Sequence, residues 1–235
     1  MNRQIILDTE TTGLEPSKGH KIIEIGCVEM IDRKLTGNHF HVYLNPQRDI
    51  DEGAIEVHGI TNEFLQDKPL FKDVVNDFIE YVKDSELVIH NAPFDIGFLN
   101  HELKQLVKPP GMMEDYCNVL DTLVLARQMH PGQKNSLDAL CKRYFIDNSH
   151  RDLHGALLDS EILAEVYLGM TGGQKDLTLT HKRDYLTTAR DDGGIRRLPE
   201  KRKPFKILRA TGDELKSHQE YLSELSKSNE NPLVW

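Results

Sequence analysis

The apolar run Ile5-Ile6-Leu7 passes directly into Asp8-Thr9-Glu10. No other stretch constrains the fold as much. Residues 4–7 read as a buried strand. In a strand, residues i and i+2 face the same way. Two carboxylates therefore leave the strand's end side by side. They repel, and loss of hydration makes the repulsion worse. A divalent cation is the simplest remedy, and hard oxygen ligands suit Mg²⁺ or Mn²⁺. Taken singly, the pair also fits a solvated loop start with one acid capping the next turn.

Residues 9–19 hold Gly, Pro and Ser and read as a loop. Residues 22–30 and 40–44 continue as strands, which with the first make an antiparallel meander. Helical spacing covers 71–83, where Phe71, Val75, Phe78 and Val82 recur on one face. A buried strand at 87–90 leads to a helix over 94–107. A strand at 118–121 feeds a helix over 122–129. Ser136 starts a helix that runs to Tyr144, and residues 155–168 form the last long helix. A meander followed by alternating strands and helices predicts an α/β domain with a mixed sheet.

The net charge is -9, which argues against broad binding to a phosphate backbone but not against gripping a few nucleotides through metal ions. The charge is also uneven. Residues 1–174 carry 16 Lys+Arg against 28 Asp+Glu, whereas residues 175–235 carry 13 against 10. That asymmetry suggests two distinct parts. Gly169 to Gly173 end the last helix and a stretch with little apolar periodicity follows, so the chain reads as a domain over 1–173, a linker over 174–212 and a tail over 213–235. No apolar run is long enough to span a bilayer. An acid at position 8 excludes a secretory leader at the start of the sequence. Cys27, Cys117 and Cys141 lack metal-ligand spacing and read as reduced, buried thiols of a cytoplasmic protein.

Two more segments end in acids where core elements stop. His90-Asn-Ala-Pro-Phe-Asp95 carries a buried strand into a helix, with Asp95 in its first turn. His154-Gly-Ala-Leu-Leu-Asp159 opens the last helix, with His154 at its mouth. Each acid alone fits a helix start. Together, four acids and a histidine at the ends of elements that share one sheet point to one cleft. Thr11-Thr12-Gly13 adds hydroxyls and backbone N–H groups that suit a phosphate or sugar oxygen. Asp121, before Thr122, reads as a helix cap rather than a ligand.

Ile5-Ile-Leu-Asp-Thr-Glu-Thr-Thr-Gly-Leu14 resembles the first motif of the DEDD exonucleases. His90-Asn-x-x-Phe-Asp95 resembles the second motif. His154-x-x-x-x-Asp159 resembles the third, in the histidine subtype. Residues 19–26, 135–141 and 153–159 are similar to the epsilon, or proofreading, family of bacterial DNA polymerase III. The resemblance covers residues 3–174 and implies a ribonuclease-H-like fold with flanking helices and a flexible C-terminal extension. It implies a two-metal 3′→5′ exonuclease, its ions about 4 Å apart, that releases nucleoside 5′-monophosphates. Asp8, Glu10 and Asp159 would bind one ion, Asp8 would bridge to the second, and Asp95 would hold that second ion through water. His154 would be the general base, a role suited to an imidazole whose ordinary pKa is about 6.5. Asp8, Glu10 and Asp159 would also meet the substrate, with Thr11, Leu14, His58, Asn91 and Phe94 around the terminal nucleotide. Gly53 stands where the family often carries an acid and offers no side chain.

The family's partners are a single-stranded DNA 3′ end, the polymerase alpha subunit and, in some relatives, a small theta-like subunit. Gln174-Lys-Asp-Leu177-Thr-Leu179 resembles a sliding-clamp motif, and Leu215 to Trp235 would be the polymerase-docking piece. No membrane partner is expected. Two other readings compete. An exoribonuclease of the same superfamily would share the five residues but lack the tail. A scaffold without catalysis would have no use for them.

Overall fold

The computed structural model of the chain describes residues 3–149, 151, 153–172 and 210–228. The chain forms two compact units, Met1–Leu179 and Thr180–Trp235.

The first unit is built on five strands: β1 (Arg3–Thr11), β2 (Ile22–Ile31), β3 (Lys34–Tyr43), β4 (Glu86–Ile89) and β5 (Asn118–Asp121). Their order in the sheet is β3-β2-β1-β4-β5. β1, β2 and β3 pair antiparallel, and β4 and β5 add parallel to β1. The expected meander and mixed sheet are both present. β1 is longer than the apolar run suggests. It continues through Asp8 and Glu10 to Thr11, where a register shift against β2 ends it. The expected loop at 9–19 therefore begins only after Thr11, and it holds a 3-10 turn at Pro16–Lys18.

The helices of this unit are α1 (Glu52–His58), α2 (Asn62–Leu65), α3 (Phe71–Val82), α4 (Ala92–Gln105), α5 (Thr122–Met129), α6 (Leu137–Tyr144) and α7 (Ala156–Thr171). Alternation along β1 sorts its side chains between two layers. Ile5 and Leu7 pack with Phe78 of α3 and with Phe98 and Leu99 of α4. Ile6 faces the other way, onto Leu163 and Tyr167 of α7. Gln4, on the Ile6 side, donates to the Tyr167 hydroxyl at 2.8 Å. Asp8 and Glu10 extend that same face, toward α7.

The approach of α7 to the sheet is close. A Cβ on Gly26 of β2 would lie 2.2 Å from backbone atoms of both Ala156 and Leu157. Ser160 Oγ donates to the Gly26 carbonyl at 2.9 Å. Gly26 pairs with Asp8, so this contact sets the start of α7 beside the first acid. Short polar side chains define the helix starts. Ser136 caps α6 by accepting from Ala139 N–H, and Asp121 caps α5 by accepting from Leu123 and Val124 N–H, as expected.

In the second unit the described residues form α8 (Gly212–Ser228). Thr211 and Glu214 make a reciprocal cap at its start, with Glu214 Oε2 accepting from Thr211 N–H at 2.7 Å. α8 exposes Leu215 and Tyr221. The expected linker falls largely outside the described residues, as do Gln174, Leu177, Leu179 and Trp235. Among the described residues no helix is long and apolar enough to cross a membrane. The three cysteines are free and buried.

Candidate active site

The strand ends, helix starts and loop identified from sequence meet around a cleft of about 650 Å³, lined among others by Asp8, Glu10, Asn91, Asp95, Asp138, Arg151, His154 and Asp159. Four local devices aim these residues. β1 runs far enough to present Asp8 and Glu10 on one face. Asn91 takes a left-handed turn (φ 68°) that folds β4 abruptly into α4, a conformation Asn tolerates better than most residues. Asp95 thus comes to lie in the first turn of α4, where Thr9 Oγ1 donates to its Oδ1 at 2.6 Å. The segment before α7 is pinned to α1, since His154 N–H donates to the Val57 carbonyl at 3.1 Å.

Glu10, His154 and Asp159 offer ligand atoms that all lie within 4.8 Å of one another. Asp8 and Asp95 stand beside this trio and interact with it electrostatically. Burial, then the charges of Asp159, Glu24 and Asp95, pushes the Glu10 carboxyl up to about 8. Burial likewise raises Asp95 to about 7, against the lowering effect of the Thr9 hydroxyl. Asp8 keeps a partly exposed face, yet lost hydration and then Asp95, Glu10 and Asp159 hold its carboxyl well above the usual range. Carboxylates crowded this tightly resist ionising together without a cation. The carboxylates offer hard oxygens, which suit Mg²⁺ or Mn²⁺.

Two residues unremarked in the sequence reading belong to the site. Arg151 lays its guanidinium across Asp159, with Nε on Oδ1 at 2.5 Å and Nη2 on Oδ2 at 2.7 Å. Its Nη2 also donates to His154 Nδ1 at 2.9 Å. A guanidinium only donates, so Nδ1 must accept and the proton of the neutral ring sits on Nε2. Asp138 holds Arg151 Nη1 at 2.7 Å. No local sequence signal marks either of them, because the contact joins the starts of α6 and α7.

A second cavity of about 570 Å³ adjoins the first and shares Thr9, Glu10 and Phe94 with it. Thr11, Leu14, Gly53, Val57 and His58 also line it. Leu14 is 79% exposed at its rim. His58 is buried at the end of α1, with Nδ1 accepting from Ile60 N–H at 3.0 Å, and burial lowers its pKa. Thr11 Oγ1 donates to the Gly13 carbonyl. Among the described residues, Asp121 Oδ1 accepts from the backbone N–H groups of Leu123, Val124 and Asn91.

A layered α/β sheet with acids converging at the ends of two parallel strands, a histidine beside them and an adjoining apolar cavity defines a nuclease architecture. The chain belongs to the exonuclease family, whose model matches residues 5–167. Nearly its whole length is similar to one branch of that family. It is 52% identical over 233 residues to DNA polymerase III subunit epsilon of Salmonella typhimurium, covering 97% of this chain and 95% of that protein. It is 49% identical over 228 residues to the same subunit of Rickettsia prowazekii, covering 95% and 96%. Among solved structures, exonuclease X in complex with 5′ overhanging duplex DNA is 32% identical, with a TM-score of 0.56 over 72% of this chain and 91% of that one. Exonuclease I from Methylocaldum szegediense shares the fold, with a TM-score of 0.62 at 17% identity. The fold is ribonuclease-H-like.

Proposed function

We propose that this chain is the proofreading 3′→5′ exonuclease of a replicative DNA polymerase. The observation that carries the reading is the convergence of Asp8, Glu10, Asp95, His154 and Asp159 on one cleft beside a nucleotide-sized cavity. Asp8, Glu10 and Asp159 would hold one divalent ion, and Asp8 and Asp95 a second. Mg²⁺ or Mn²⁺ bound there supplies electrostatic stabilisation of the scissile phosphate and a more acidic water.

The chain's own residues supply the rest. The cavity of Thr11, Leu14, His58 and Phe94 receives the terminal nucleotide, with Leu14 against its base and Asn91 at the edge. His154 accepts the proton of the attacking water as the bond from phosphorus to the penultimate 3′ oxygen breaks. The products are a nucleoside 5′-monophosphate and a strand one residue shorter with a 3′ hydroxyl. Selectivity for errors needs no recognition of the wrong base. A mispaired end unstacks more cheaply than a paired one, and the cleft accepts a frayed strand.

In this reading residues 1–173 are the catalytic domain, 174–212 a linker and 213–235 the docking tail for the polymerase catalytic subunit. Support comes from α8, which exposes Leu215 and Tyr221 for a partner. Gln174, Leu177 and Leu179 would engage a sliding clamp and Trp235 would join the polymerase contact, in a cytoplasmic replication complex. A tether also explains how an acidic domain reaches DNA, because effective concentration replaces intrinsic affinity.

The test is digestion of a labelled single-stranded DNA oligonucleotide with Mg²⁺, beside an Asp8→Ala control and an RNA of the same sequence. Stepwise release of monophosphates from the 3′ end of DNA, lost in the control and slower on RNA, is the expected result. Faster digestion of RNA would move the chain to the exoribonuclease branch, and inactivity on both would leave a scaffold.

A further inference from the structure

Arg151 is the one cation in contact with both His154 and Asp159 among the described residues, and only 8% of its side chain is exposed. It makes the paired-donor fork to Asp159 that guanidinium groups also make to phosphate oxygens. Three features make this pairing exchangeable. A divalent ion seated by Asp8, Glu10 and Asp159 competes with Arg151 for the Asp159 carboxylate, both oxygens of which Arg151 holds. While Nη2 donates to Nδ1, with the ring proton on Nε2, His154 has no free lone pair with which to accept a proton. Asp138, the remaining anchor, is 54% exposed at the start of α6, and a pair open to water on one side binds weakly.

We propose that Arg151 changes partners during the reaction cycle. It leaves Asp159 and His154 as divalent ions engage, and its fork takes the phosphate of the 3′-terminal nucleotide. Arg151 is then a substrate-binding residue that also sets when Asp159 and His154 become available. This rests on the exonuclease reading of the same cleft. It predicts antagonism between Arg151 and metal, whereas a fixed strut holding Asp159 in place would favour metal binding.

The experiment is calorimetric titration of Mn²⁺ into the wild type, Arg151→Gln and Arg151→Lys. Thymidine 5′-monophosphate is then titrated into each Mn²⁺-saturated protein, and thermal melts report folding. Arg151→Gln is expected to bind Mn²⁺ about tenfold more tightly, because one charge-assisted competitor is gone. The same variant is expected to bind the nucleotide about tenfold more weakly. Arg151→Lys, which keeps the charge but not the fork, should fall between the two for the nucleotide, and it carries the comparison if the glutamine variant folds poorly. Unchanged or weaker Mn²⁺ binding by a folded variant would overturn the proposal, and so would undiminished nucleotide binding. Neither readout needs turnover, so digestion of DNA by the wild type decides the exonuclease reading separately.

Discussion

Replacing Glu10 by Gln should make the protein more stable in the presence of a chelator. The Glu10 carboxyl is raised from 4.5 to about 8, so the fold favours its protonated form. A carboxyl raised in this way contributes stability that is fully present below pH 4.5 and is lost as pH rises to about 8. At about 1.4 kcal/mol per pKa unit, the loss at pH 7 is roughly 3 kcal/mol. Gln keeps the shape of the protonated acid and carries no charge. In a domain of this size the gain corresponds to a melting temperature higher by roughly 10 °C at pH 7. The gain should shrink toward pH 5, where Glu10 of the unfolded chain is also taking up its proton. The assay is thermal denaturation of both proteins in chelator across pH 5 to 8, repeated with saturating Mg²⁺. Magnesium should raise the wild-type melting temperature and reduce or reverse the advantage of the variant, whose cation site lacks a charged ligand. A variant no more stable than the wild type at pH 7.5 in chelator would refute the account of Glu10 as a destabilising charge.

Three further outcomes follow from the geometry. His154→Ala should lower turnover by about 10²- to 10⁴-fold while Mn²⁺ still binds, and near-normal turnover would remove His154 from the role of base. Gly26→Ala should push the start of α7 outward, because its Cβ would meet backbone at 2.2 Å. A shift on the order of 1 Å costs about 100-fold in rate, so unimpaired single-turnover digestion would contradict the close-contact reading. Asp121→Ala should cost about 1 kcal/mol of stability through the lost cap of α5, with metal affinity unchanged by calorimetry. A weakened metal site would show that Asp121 is more than a cap.

The sheet and long helices were legible in the sequence because apolar spacing and capping residues agree there. The expected helix at 122–129 has the bounds of α5, since Asp121 marks its start. α1 and α2 were not expected. At seven and four residues they are too short to show a periodic apolar face. The burial of His58, where α1 ends at Gly59, therefore left no sequence signal. The acids were legible because each interrupts an apolar run. Arg151 was not, because its meaning depends on α6 delivering Asp138 and α7 delivering Asp159 to the same point, a long-range fact that no local pattern carries.

The seating of α7 against Gly26 also has a consequence for the order of synthesis. β1 emerges first with Asp8 and Glu10, and α4 follows with Asp95. His154 and Asp159 arrive only with the last segment of the domain, and α7 can dock only once β2 offers its bare glycine. A growing chain that stops before residue 154 holds three of the acids and lacks the proposed base. On the proposed mechanism, hydrolysis must therefore wait until the last segment of the domain has docked.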